Sequence, residues 1–257
     1  MLNWVMGKLI SPKENAERLK EIVIKGNLRK YYRVARADRW YGGIATADCV
    51  GCNLSCIFCW SDKPRNQPER IGQFYSPEEI AESLLTCARK KGYKQLRISG
   101  NEPTLGKEHL LAVLSQIEKT GFTFILETNG TLIDKDYAKD LSNFNCLSVR
   151  VSLKGTNPKE FSLLTDAEED GFIMQVSALW HLVANKVKCH PAVMLSFSPP
   201  ENLERLKLVL AKIDKRLVNN LEEEYLFLYP QVKKRLEAKG LKPYIAYSPS
   251  GIPGELI

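Results

Sequence analysis

Residues 44–60 read Ile44-Ala45-Thr46-Ala47-Asp48-Cys49-Val50-Gly51-Cys52-Asn53-Leu54-Ser55-Cys56-Ile57-Phe58-Cys59-Trp60, a short apolar run that breaks into a loop crowded with four cysteines. A run of this length and character is that of a buried strand, and the loop marks its carboxyl end. The same order recurs along the chain. Strands are expected at 44–48, 95–99, 122–127, 147–153, 187–197 and 225–229, each followed by a helical pattern. Ser11-Pro12-Lys13-Glu14 and Ser76-Pro77-Glu78-Glu79 each set a capping hydroxyl before a proline and a carboxylate in the first turn. Gly26, Gly92 and Gly121 are placed to stop helices, and further helices are expected near 134–142, 172–186, 201–217 and 231–239. Strands that alternate with helices lie parallel, because a right-handed helical crossover returns the chain to the same end of the sheet. The expected fold is therefore α/β, a partial (β/α)6 barrel over residues 41–257. A basic, helical N-terminal prefix covers 1–40, and an irregular tail covers 248–254.

Composition narrows the class further. Of 257 residues, 26% are charged and 44% hydrophobic, with 16 Gly and 13 Pro, which excludes collagen-like, low-complexity and largely disordered chains. No apolar run approaches the roughly 18 residues needed to span a bilayer. Met1-Leu2-Asn3-Trp4-Val5-Met6-Gly7 lacks the basic start of a secretory signal, so a cytoplasmic protein without a membrane partner is expected. The net charge is +7, and residues 1–40 hold 10 basic against 4 acidic side chains. Toward the end of that stretch and just past it, Tyr31, Tyr32, Trp40 and Tyr41 lie among Arg29, Lys30, Arg33, Arg36 and Arg39. Such a segment either packs its rings on the barrel under a solvated charge or meets RNA, phosphates with cations and bases with rings.

Working residues of parallel β/α folds gather where strands end, so the strand ends carry the chemistry. Cys52, Cys56 and Cys59 stand at C-x3-C-x2-C, a spacing that wraps three thiolates around one small inorganic core and leaves a position open. The alternative is zinc held by Cys49-x2-Cys52 and Cys56-x2-Cys59. Two such knuckles need about a dozen intervening residues to fold back on one ion, and only Asn53-Leu54-Ser55 separate them. Cys49 reads as a buried thiol, and Cys87, Cys146 and Cys189 read as small core hydrophobes. The other strand ends are Ser99-Gly100-Asn101-Glu102-Pro103, Glu127-Thr128-Asn129-Gly130 and Ser152-Leu153-Lys154. His109, His181 and His190 fall outside all of them.

With Phe58 just before its last cysteine, the triad resembles the signature of the radical S-adenosylmethionine (radical SAM) superfamily. The order of motifs is similar to its short activating-enzyme branch, in which a Gly-Cys opening, Ser-Gly-Gly-Glu-Pro and Asp-Thr-Asn-Gly follow one another. The resemblance covers residues 43–200, with Asn101 where a second glycine is usual and Glu127 where aspartate is. It implies that Cys52, Cys56 and Cys59 hold a [4Fe-4S] cluster. It further implies that the Gly100-Asn101 backbone and Glu102 receive the ammonium of S-adenosyl-L-methionine, that Glu127 and Asn129 reach its ribose, and that Phe58, Ser152 and Lys154 complete the cofactor site. If the second-glycine position needs φ > 0, asparagine tolerates it. The implied activity is that of an oxidoreductase or modifying enzyme. An external one-electron reductant drives cleavage of the cofactor to a 5'-deoxyadenosyl radical, which takes a hydrogen atom from a substrate. No catalytic side chain beyond the cofactor-bearing residues is required. The substrate is a glycyl-radical enzyme, another protein, RNA or a small molecule, and the polar loop 60–74 is either a gate for it or simply disordered.

One four-iron cluster per chain is expected after anaerobic reconstitution. Alanine at Cys52, Cys56 or Cys59 should abolish iron binding or leave an inactive remnant, whereas Cys49→Ala should keep both cluster and cofactor cleavage. Metal analysis decides, and colourless protein holding stoichiometric zinc through Cys49 reverses the reading.

Overall fold

The computed structural model describes residues 9–251, so the expectations for Met1 to Gly7 and for Ile252, Pro253 and Gly254 lie outside the described residues. After a helix at Pro12–Val23 come strands β1 (Ile24–Lys25), β2 (Leu28–Asp38), β3 (Ile44–Cys49), β4 (Gln73–Tyr75), β5 (Gln95–Ser99), β6 (Thr123–Thr128), β7 (Leu147–Leu153), β8 (Cys189–Met194) and β9 (Glu222–Glu224). They build one nine-stranded open sheet in the order β1-β2-β3-β5-β6-β7-β8-β9, with β4 also on β2. From β3 onward the main path is parallel, as helical crossovers require. The result is a partial α/β barrel with an antiparallel hairpin at its first edge. Two further short strands, β10 (Leu226–Phe227) and β11 (Ala246–Tyr247), pair only with each other.

The helices start where their first residues dictate. Ser76 closes a capping box with Glu79, Pro77 opens the helix Pro77–Lys91, and Ile80, Ala81, Leu84, Leu85 and Ala88 bury one face. They belong to one core with Leu96, Ile98, Phe124, Val149 and Val151, all essentially without solvent contact. No described helix is long and apolar enough to cross a membrane.

Four expectations change on inspection of the fold. The sixth parallel strand is Glu222–Glu224 and not 225–229, because these glutamates find arginine partners inside the barrel. The first helix ends at Val23, where Ile24 turns extended, and Gly26 instead serves the tight turn between β1 and β2 with φ 61°. The helix expected over 201–217 breaks at Asp214 into Pro200–Ile213 and Lys215–Asn219, Asp214 capping the second piece. The boundary expected at residue 40 follows a strand, β2, that is hydrogen-bonded to β3 across it.

That last change removes most of the RNA-binding surface expected of the prefix. Arg29 is 1% exposed and donates to Val50 O at 2.6 Å and Glu102 O at 3.3 Å. Lys30 is 7% exposed and donates to Pro68 O at 2.6 Å and Glu69 O at 2.9 Å. Both cations are engaged inside the fold and cannot meet phosphates, while Arg33 and Arg39 stay exposed. Lys30 and the pairing of β4 with β2 also tie down the loop expected to act as a gate.

His109, on the helix Lys107–Ile117, is buried and locks β2 in place. Its Nε2 is 3.0 Å from Tyr31 Oη and its Nδ1 2.8 Å from Asn27 O. Burial pulls the imidazole from 6.5 down to about 4, and the Asn27 carbonyl offsets this only in part. Above pH 6.5 the ring is neutral in the folded and unfolded chains alike. As pH falls below that value the unfolded chain takes up the proton first, so stability declines until pH passes through the folded value, by ~3 kcal/mol in all. Urea unfolding between pH 7 and pH 4 should show this decline, and His109→Gln should flatten it by up to ~3 kcal/mol. Equal pH profiles for parent and variant would assign the decline to other groups.

Candidate active site

The carboxyl ends of the parallel strands open into a cavity of about 900 Å³. Every residue that the resemblance implies for cluster and cofactor lines it: Cys52, Cys56, Phe58 and Cys59 from the loop after β3, Gly100, Asn101 and Glu102 after β5, Glu127 and Asn129 at the end of β6, and Ser152 and Lys154 at the end of β7. Cys49 does not line it; its thiol donates to Ser99 O at 3.2 Å in the core behind. His109, His181 and His190 are likewise outside the cavity lining.

A loop without regular structure must find outside partners for its backbone. Asn53 is anchored on three sides, donating to Pro12 O at 3.0 Å and Thr131 Oγ1 at 2.8 Å and accepting from Asn129 Nδ2 at 2.9 Å. Ser55 and Ile57 N–H donate to Thr165 O and Leu164 O at 3.0 and 2.9 Å. None of the three cavity cysteines is in a disulfide. Burial, then the Glu102 carboxylate and the neighbouring thiols, push the Cys52 thiol well up. Burial likewise pushes Cys56 up to about 11, against the pull of Lys154.

The departure at the second strand end has a physical account. Gly100 holds φ 96°, and a Cβ there would stand 3.0 Å from Asp48 Cα and Cys49 N, so this position requires glycine. Asn101 does not adopt positive φ, contrary to the possibility raised from the motif. Its side chain instead straddles the cysteine loop, accepting from Gly51 N at 2.9 Å and donating to Ser61 O at 3.1 Å. Glu102 is 1% exposed and fully engaged on one oxygen: Oε1 accepts from Thr104 N, Thr104 Oγ1 and Thr128 Oγ1, and Oε2 accepts from Asn129 N at 2.8 Å. It thus crosslinks the second and third strand ends.

Beneath these residues lies a charged layer that the sequence reading missed. Arg97 bridges Asp38 at 2.7 Å and Glu127 at 2.8 Å, and Arg36 clasps Asp48 at 2.6 Å. Arg150 bridges Glu222 at 2.6 Å and Glu224 at 2.8 Å, and Ser152 donates to Glu224 at 2.6 Å. Burial alone would raise the Glu127 carboxyl, yet the Arg97 and Arg150 guanidiniums hold it below the usual range. Glu224, buried beside Arg150 and Lys154, is held at about 2 in the same way. The available signal was a polar side chain every second residue with a charge at the centre, as in Gln95-Leu96-Arg97-Ile98-Ser99 and Ser148-Val149-Arg150-Val151-Ser152. Lys154 bonds the Ser152 hydroxyl and stands 6.0 Å from the Phe58 ring centre, with no carboxylate in ion-pair range among the described residues.

A parallel partial barrel with its polar side chains gathered at the carboxyl edge is the architecture of an α/β enzyme. Residues 48–176 match the family described as the Radical SAM superfamily, and the chain belongs to it. Over 118 residues it is 32% identical to the probable GTP 3',8-cyclase of Methanococcus vannielii, covering 46% of this chain and 38% of that protein. Over 173 residues it is 26% identical to the GTP 3',8-cyclase of Actinobacillus pleuropneumoniae, covering 65% of this chain and 49% of the relative. The chain therefore spans less than half the length of these relatives. In fold it is similar to Streptococcus suis SuiB bound to the precursor peptide SuiA, with TM-score 0.56 and 17% identity over 78% of this chain and 40% of that one. It is also similar to anSMEcpe with bound AdoMet, at TM-score 0.52 and 21% identity, covering 67% of this chain and 46% of that one. Membership makes the protein an enzyme and implies a [4Fe-4S] cluster and S-adenosylmethionine. The residues present fit that pair, since three thiols without disulfide partners, Cys56 buried and Cys52 and Cys59 half-buried, face one cavity, and coordination to iron favours their thiolate form by releasing the proton to solvent.

Glu102→Ala would strand four donors at once, and should lower apo-protein stability in urea by about 3 kcal/mol. Asn101→Ala frees only one amide and one carbonyl and should cost about 1 kcal/mol. Similar small losses for both would show that Glu102 is not the crosslink its geometry indicates.

Proposed function

We propose that Cys52, Cys56 and Cys59 hold the cluster, that the strand ends after β5, β6 and β7 hold S-adenosylmethionine, and that a hydrogen atom is taken from an anionic substrate bound in the same cavity. The observation that carries this reading is the convergence of three free thiols and three polar strand ends on one space of about 900 Å³. When bound, cluster and cofactor together supply a 5'-deoxyadenosyl radical by reductive cleavage of the sulfonium.

The chain's own residues bind and orient. Gly100 and Asn101 offer backbone carbonyls to the cofactor's ammonium, since the Asn101 side chain is taken by the cysteine loop. Glu102 Oε2 accepts only from Asn129 N and keeps lone pairs for the same ammonium. Glu127 Oε2 accepts only from Ser99, which leaves capacity for a ribose hydroxyl, while Asn129 holds the strand end against Asn53. Lys154, lacking a carboxylate of its own, suits the cofactor's carboxylate. Phe58 stacks with Phe197, ring centres 6.4 Å apart, and shields this corner from water.

At the mouth, exposed Arg33 and Arg39 stand 5.7 Å from the Tyr32 ring and 5.9 Å from the Trp40 ring. Trp40 in turn faces Phe227 at 6.5 Å, and Trp60 is 43% exposed. Exposed cations without an ion pair among the described residues, beside half-exposed rings, support a substrate that joins an anionic group to a planar ring. A nucleotide has both, as the relatives' name also suggests. The glycyl-radical activase reading rests on the order of the motifs alone, and the relatives' names do not support it.

Dithionite-reduced protein should form 5'-deoxyadenosine from S-adenosylmethionine slowly, even without substrate. GTP, used as a probe, should bind in calorimetry, weaken with added salt, and lose at least tenfold in affinity, ~1.4 kcal/mol, in the Arg33→Ser/Arg39→Ser double variant. No GTP binding at low salt would remove the nucleotide reading and leave the cofactor chemistry standing.

A further inference from the structure

Two guanidiniums reach the cysteine loop from outside it. Arg235, on the C-terminal helix Pro230–Lys239, donates to Ile57 O at 2.8 Å and to Cys59 O, and pairs with Asp62 at 2.5 Å. Arg65, on the short helix Asp62–Asn66, donates to Cys56 O at 2.7 Å and to Asn66 Oδ1 at 2.8 Å. It lines the cavity and is 8% exposed.

The two differ in their charge balance. Asp62 neutralises Arg235, whereas both described partners of Arg65 are neutral. Among the described residues no carboxylate stands within 4.0 Å of Arg65. A guanidinium does not shed its proton, and a buried cation left without an anion costs several kcal/mol. Its nearest functional neighbour is Cys56, whose own carbonyl it holds.

We infer that Arg65 is the built-in counter-charge of the cluster and raises its reduction potential, while Arg235 anchors the loop without changing its net charge. This rests on the reading that Cys52, Cys56 and Cys59 hold the cluster. One-electron reduction by an external donor adds one negative charge to the cluster. A fixed cation in a poorly screened site favours the reduced state over the oxidised one, which is a higher potential. Arg65 is in this sense a positioning residue, acting on the cluster through charge and through the Cys56 carbonyl.

The test is a potentiometric titration of the anaerobically reconstituted full chain, with the reduced cluster read by electron paramagnetic resonance. Arg65→Gln keeps an amide donor for Cys56 O and loses the charge; with iron content like the parent's, its reduced-to-oxidised ratio at the parent's midpoint should fall about tenfold, ~59 mV for one electron. Arg65→Lys, and the double variant Asp62→Asn/Arg235→Gln that removes a neutral pair, should each stay within about threefold of the parent. A parent-like potential in iron-replete Arg65→Gln, or equal shifts in the Gln and Lys variants, overturns the inference. Should the Gln variant fail to hold iron, retention by the Lys variant supports the counter-charge and loss from both overturns it. A parent that binds no four-iron cluster refutes the underlying reading instead.

Discussion

Arg97 stands on the inner face of β5 with its guanidinium between Asp38 and Glu127, and its side chain is 6% exposed. A cation placed there is tolerable only if both carboxylates are in register with it, because the interior screens charge poorly and an unpaired ion costs several kcal/mol. That requirement reaches across four neighbouring strands, from Asp38 on β2 to Glu127 on β6. Arg150 repeats it on the other side with Glu222 and Glu224 of β9. A one-residue slip in any of these strands would turn the charge toward the packed helices and strand its partners, so the pairs fix register even where they add little net stability. The ladder also explains why three consecutive glutamates can form a strand at all.

On this charged floor the cysteine loop is held by partners gathered from the whole chain. Pro12, Asn101, Thr131, Thr165 and Arg235 each bond to it or to its flanks. An irregular loop has backbone groups that no ladder satisfies, and every one left buried and unpaired would cost about 1–3 kcal/mol. Asn101 is the instructive member. Asparagine at a position where glycine is usual looks like a substitution to be tolerated, yet it supplies the donor and acceptor that bind the two flanks of the loop together.

Much of the site was legible because its residues cluster in short stretches. The triad, the three strand ends and the caps at Ser11 and Ser76 are local patterns, and local geometry decides them. Glu102, Asn129 and Lys154 were found as cavity residues for the same reason, though the web of bonds around Glu102 was not. Arg29 and Lys30 were misread as surface charge, because nothing in the sequence says which basic residue will meet carbonyl oxygens at 2.6 Å deep in the fold. Arg97, Arg150 and the β9 glutamates went unnoticed one by one, since each makes sense only beside a partner many residues away.

By itself the sequence determined the alternation of strands and helices that builds the parallel part of the sheet, and the cysteine spacing that points to iron–sulfur chemistry. These follow from periodicity and from steric preferences that act within a few residues. Only the tertiary structure decided which charges are buried, which of them are paired, and which guanidinium stands beside the thiols without a carboxylate. Electrostatic energy depends on distance and screening in three dimensions, and neither is written in the spacing of residues along a chain.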